Sequence, residues 1–100
     1  MSGVLLKLVL DEGVFAAVSD SLLIYEKTRI EFKSVSIRSY SNEHELAEIK
    51  EKVAGYLAKV QIEITTTQEE YAEILVYLKK HHPNISCHYL LTPILDLGVL

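Results

Sequence analysis

An α+β sandwich in the order strand, helix, strand, strand, helix, strand is the fold class this sequence predicts, and three observations predict it. Residues Ala58 to Thr65 alternate strictly, with Ala58, Val60, Ile62 and Ile64 on one side and Lys59, Gln61, Glu63 and Thr65 on the other, the period of a strand with one dry face. Val14 to Leu22 and Tyr71 to Leu78 instead carry apolar residues at helical spacing. Each of these helical stretches follows one strand-like run and precedes another, so the strand, helix, strand unit occurs twice. That order is the ferredoxin-like β-α-β-β-α-β sandwich: an antiparallel four-stranded sheet, its first and third strands central, with two helices on one face.

Val4 to Leu10 is apolar on both faces apart from Lys7, which suits a central strand covered on both sides. Asp11 offers an N-cap to the first helix, whose stripe is Val14, Ala17, Val18, Ser21 and Leu22, broadened by Phe15 and fading near Tyr25. Arg29 to Arg38 is rich in Ile, Phe, Val and Ser, and its apolar alternation slips from Ile30 and Phe32 to Val35 and Ile37, which predicts a bulge near Ser34. A polar loop, Ser39 to His44, leads into Glu45 to Val53, where Leu46, Ile49 and Val53 predict a short amphipathic helix capped by Ser41 or Asn42 and stopped by Gly55. The third strand runs from about Tyr56 to Thr65. Thr67 and Glu70 then form a capping box ahead of Tyr71, Ile74, Leu75 and Leu78. Lys79, Lys80, His81 and His82 occupy the last turn, where the helix dipole favours cations, and Pro83-Asn84 closes it. Ile85 to Thr92 is the fourth strand, and the apolar tail Leu95 to Leu100 offers a short edge strand beyond Pro93.

The whole chain, 1–100, reads as one domain: 49% hydrophobic and 24% charged residues over 100 positions is an ordinary globular composition. A net charge of −4 argues against a nucleic-acid partner, which needs a basic surface. The single cysteine, Cys87, allows no intrachain disulfide and fits a reduced, cytoplasmic setting. No apolar run approaches the roughly 20 residues that cross a bilayer, so no direct membrane insertion is expected.

Helices cover only one face of such a sheet. Leu5, Val9, Val35 and Leu90 would lie on the other with Lys59, Gln61 and Glu63, a mixture too apolar for simple exposure. We therefore expect Lys59, Gln61, Glu63 and Leu90 to line an interface between subunits.

Two stretches carry a family resemblance. Leu46-Ala47-Glu48 with Lys52-Val53-Ala54-Gly55, and the run His88-Tyr89-Leu90-Leu91-Thr92-Pro93-Ile94-Leu95-Asp96-Leu97-Gly98-Val99-Leu100, resemble the short bacterial P-II-like proteins classed as a domain of unknown function. The resemblance implies a homotrimer with its sheets turned inward. It also implies a non-enzymatic regulatory or sensory role, binding a small ligand or a membrane transporter partner in a heavy-metal efflux system. The sequence departs from that group after Gly55, where Tyr56-Leu57-Ala58 precede Lys59 and basic residues are common in the family. Segment 39–55 lies where nitrogen regulatory P-II proteins carry a longer effector loop, so Tyr40 is not read as a modification site.

In that superfamily nucleotides bind between subunits, and the basic groups nearest the implied cleft are Arg38, Lys59 and Lys33. With His88 they make the candidate ligand-binding set Arg38, Lys59 and His88. His81, His82, Cys87 and His88 are residue types that ligate transition metals, but Cys87 and His88 point to opposite faces of a strand and His81 and His82 diverge by about 100° on a helix. They read as a solvated helix end and a core thiol, so no metal site is assigned. The alternative reading is a protein related to the copper-binding CutA family, with His88 meeting its copies from neighbouring subunits. Glu43, Glu45, Glu48 and Glu51 read as a solvated helix face, and no nucleophile stands in register with a base, so no enzyme is expected. Asp11-Glu12 after the first strand would repel phosphate, which argues against an acylphosphatase-like activity.

Overall fold

Residues 3–42 and 55–100 are described by the computed structural model. Strand β1 (Gly3–Asp11) buries Val4, Leu6, Leu8 and Leu10 on one face and half-buries Leu5, Lys7 and Val9 on the other. A 3-10 turn (Glu12–Val14) leads into helix α1 (Phe15–Leu23); then come β2 (Phe32–Ser39), β3 (Leu57–Thr67), helix α2 (Tyr71–His81) and β4 (Cys87–Pro93). The sheet order is β2-β3-β1-β4 and all three pairs are antiparallel. This is the α+β, ferredoxin-like sandwich, with β1 and β3 at its centre.

Both helices lie on the same face. Val18 and Leu22 of α1 and Ile74 and Leu78 of α2 join Leu6, Leu8, Leu10, Ile62 and Ile64 in one core. Leu6, Leu10, Ile62, Ile64 and Ile74 retain 0% exposure, so each contributes the full worth of a buried aliphatic side chain, roughly 1.5–3 kcal/mol. The helices meet through a partly polar seam. Tyr25 and Tyr77 pack edge to face at 4.8 Å, the Tyr77 hydroxyl donates to the Ser21 carbonyl at 2.6 Å, and Ser21 Oγ and His82 Nε2 are hydrogen-bonded at 2.8 Å.

Several local expectations are corrected. Asp11 makes no side-chain cap: it ends β1, its carboxylate turns to Lys59, and α1 starts after the 3-10 turn. There is no bulge at Ser34, because β2 pairs with β3 without a break from Phe32 opposite Ile64 to Ser39 opposite Leu57. The apolar residues change face instead. Ile30 and Phe32 pack against the core, whereas Val35 and Ile37 stand on the open face, which is itself partly apolar. Thr67 Oγ1 accepts from the Glu70 amide at 3.2 Å, as the capping box requires, but α2 begins only at Tyr71, three residues later than such a cap implies, and Glu70 holds the cap position. No strand forms after Pro93, which has no amide hydrogen to extend the ladder. One bond, Ile94 N to Gly3 O at 3.1 Å, turns the chain across the sheet. The short helix expected over Glu45 to Val53, with Glu43, Glu45, Glu48 and Glu51, lies outside the described residues.

Candidate functional site

Strand alternation and pairing register fix the composition of the open face in rows that run across the sheet. One row is His88, Val9, Gln61, Val35; the next is Leu90, Lys7, Glu63, Lys33. Toward one end follow Asp11, Lys59 and Ile37, and toward the other Thr92, Leu5 and Thr65. Val35 and Leu90, near the two edges, are 48% and 57% exposed, so the apolar part of this face is uncovered within a single chain.

The chain partly answers the demand of its own charges. Lys59 Nζ meets Asp11 Oδ1 at 2.8 Å, and Gln61 Nε2 donates to Glu63 Oε2 at 3.0 Å. Lys59 keeps only 18% of its side-chain exposure while Asp11 keeps 60%, so the lysine lies flat along the sheet and the carboxylate reaches out to it. Among the described residues two ion pairs form, Lys59 with Asp11 and Arg29 with Glu31, and Lys7 and Lys33 on either side of Glu63 belong to neither.

Of the candidate ligand residues, Lys59 and His88 share the open face, on β3 and β4. Arg38 does not join them. It pairs opposite Ala58 on the other face, where its guanidinium lies 4.9 Å over the Tyr56 ring and Tyr56 is 5.9 Å from Tyr40. The interface candidates Lys59, Gln61, Glu63 and Leu90 all lie on the open face. A groove of about 490 Å³ at its Leu5 end is lined by Lys33, Glu63, Thr65 and, from the tail, Leu97, with Arg29 and Glu31 at its margin.

The histidines and the cysteine separate. The His81 ring donates through Nδ1 to the Tyr77 carbonyl at 2.9 Å, and His82 is held by Ser21. Cys87 faces the helices and His88 the open face, as their adjacency in β4 requires. Burial pushes the Cys87 thiol above its usual 9.0, partly offset by a backbone hydrogen bond from Val9. Among the described residues no group of three or more His, Cys, Asp or Glu comes together to hold a metal ion.

Two features were missed at the level of sequence. The Asp11–Lys59 pair follows only once the β1–β3 register is known, and the Arg38, Tyr56, Tyr40 cluster joins Arg38 and Tyr40, at the start of segment 39–55, to Tyr56 just after it. The signal for the second was the placement of a tyrosine at each flank of that segment.

Over residues 1–100 the sequence matches the family described as Protein of unknown function (DUF3240). The chain belongs to this family. A DUF3240 family protein from Shewanella baltica OS155 has the same fold with a TM-score of 0.77 at 23% identity, covering 100% of this chain and 98% of that one. CPII from Thiomonas intermedia K12, solved with ADP, AMP and acetate, follows at 0.64 and 15%, covering 93% and 86%. Arabidopsis thaliana PII bound to citrate gives 0.65 and 12%, covering 93% and 78%. The DUF3240 chain therefore has the PII-like form of the ferredoxin-like fold. No curated protein gives a significant sequence match.

Proposed function

We propose that this DUF3240 protein is a non-enzymatic, trimeric regulatory or sensory protein of the cytoplasm that binds a small ligand between its subunits. The observation that carries the reading is the open face, where Val35 and Leu90 stand uncovered beside Lys7 and Lys33, two lysines without an ion-pair partner among the described residues. Closing three such faces around an axis removes the apolar surface from water and brings those lysines to the junctions between subunits. The similar proteins from Thiomonas and Arabidopsis were solved with ADP, AMP, acetate and citrate, all anions, and an anion is the ligand class such junctions suit. Lys59 and His88 stand on the face that would form the junction, whereas Arg38 lies on the opposite face against Tyr56 and is set apart from it. A transporter partner in heavy-metal efflux is the finer reading and rests on the family resemblance of segment 46–55 and the run after His88.

The test is a melting series of the purified protein against nucleotides, carboxylates and divalent metals, since a ligand that prefers the native state raises Tm. ADP or citrate raising Tm, with the effect lost in Lys33→Ala, supports the reading. A response confined to copper or zinc that disappears in His88→Ala would instead favour the CutA-like alternative, and a panel without any response would favour a protein partner over a small ligand.

A further inference from the structure

The helix-covered side of the sheet holds a second groove, of about 230 Å³, between α2 and the edge strand β4. The state of β4 shows why it is open. Tyr89 pairs with Leu8 and so points toward the helices, between Cys87 and Leu91, which both pack against the core. Yet Tyr89 is 56% exposed, as open as Leu90 at 57% on the face without helices. Neither helix covers β4 at this level, and the tail, which seats Leu97 on the open face, does not fill the space either.

The wall that α2 presents is graded along its length. Leu75, Leu78, Lys79 and His82 stand at i, i+3, i+4 and i+7, a single helical face, so the stripe is apolar at its start and basic at its end. Ile85, Cys87 and Tyr89 stand across from it, and Leu8 and Val18, each 1% exposed, close the bottom. Among the described residues no carboxylate lines the groove, in a chain whose net charge is −4. The two basic groups keep donors to spare. Lys79 Nζ gives one hydrogen to the Pro83 carbonyl at 3.3 Å and an ammonium carries three; with the Ser21 hydroxyl donating to His82 Nε2, the ring proton of His82 stands on Nδ1.

We propose that this groove binds a small amphipathic monocarboxylate, with its apolar body between Leu75 and Tyr89 and its carboxylate at Lys79 and His82. The body takes the exposed surface of Leu75, Ile85 and Tyr89 out of water, and the acid is chosen over an amine because the charged lining is cationic throughout. Size narrows the class. At about 30 Å³ for a group the size of a water molecule, 230 Å³ takes about seven non-hydrogen atoms, which is a benzyl group or a short acyl chain and much less than a nucleotide. The site is complete within one chain and lies on the opposite side of the sheet from the proposed subunit junction, so it is independent of assembly.

Cys87 is the only cysteine, and because it lines the groove its reactivity reports occupancy. With the purified full chain, millimolar phenylacetate or octanoate is expected to slow alkylation of Cys87 by N-ethylmaleimide several-fold and saturably, whereas phenethylamine and octylamine leave the rate unchanged. Lys79→Glu, at an exposed position, should preserve the circular dichroism spectrum and abolish the protection. Lys33→Ala, on the open face, should leave the protection intact. Absence of protection by both acids, equal protection by acids and amines, or protection that survives Lys79→Glu overturns the proposal. Protection lost in Lys33→Ala and kept in Lys79→Glu also overturns it, and assigns the carboxylate to the open face instead.

Discussion

Lys59 illustrates how a charge is carried in the middle of a sheet. Its stem lies along the open face and its ammonium is met by Asp11 from the neighbouring strand, so most of its surface is covered without leaving the charge alone. The sequence showed that Lys59 faces away from the core, but not its partner, since Asp11 is equally credible as a helix cap until strand pairing is fixed. Two other residues make the protein sensitive to alkali. Burial raises the Cys87 thiol above 9.0, and the Tyr25 hydroxyl is raised above 10.0 by burial first and then by the carboxylates of Glu73 and Glu70 and by Tyr77. In both cases the native state holds its proton longer than the unfolded chain. The stabilisation is therefore intact below pH 9 and is lost as pH rises, through Cys87 first and Tyr25 second. Tm is expected to fall as pH rises above about 9, and Cys87→Ala should flatten the first part of that fall. A pH profile unchanged by the substitution would remove Cys87 from this account.

At the scale of elements, β3 and both helices were legible because burial is one-sided and leaves a period in the sequence, and β1 because it is a continuous apolar run. Val60, Ile62 and Ile64 alternate with polar residues, and Val18, Leu22, Ile74 and Leu78 recur by turns of helix. β2 was harder. Its apolar residues serve the core at Phe32 and the open face at Val35 and Ile37, so one periodic strand looked like two fragments out of register. Nor is the seam between the helices written in any hydrophobic pattern, because it depends on Ser21, Tyr77 and His82 meeting from distant parts of the chain. Tyr77→Phe keeps the ring against Tyr25 but removes the donor to the Ser21 carbonyl, which should cost about 1 kcal/mol and lower Tm by about 4–8 °C. Urea unfolding that is unchanged in this variant would show that the bond adds nothing net.

For the whole molecule the sequence disclosed the fold and the unusual character of the uncovered face, but not what surrounds it. One-sided covering of the sheet follows from two helices and four strands; the crevice of about 230 Å³ beside β4, lined by Leu75, Leu78, His82 and Cys87, does not. Val35 tests the assembly without touching the core. It is 48% exposed in the single chain, so Val35→Glu should leave the circular dichroism spectrum and the monomer fold intact. In the proposed trimer the same substitution places three carboxylates on apolar contact surface, and sedimentation should show dissociation to monomers. A variant that remains trimeric would put the interface elsewhere.

His82 belongs to two structures at once. Its ring lines the groove beside β4, and its Nε2 is the atom that holds Ser21 of α1. Whatever fills the groove leans on the clasp between the helices, and whatever loosens that clasp alters the wall of the groove. A substitution at His82 therefore changes the wall beside β4 and the contact between the helices together.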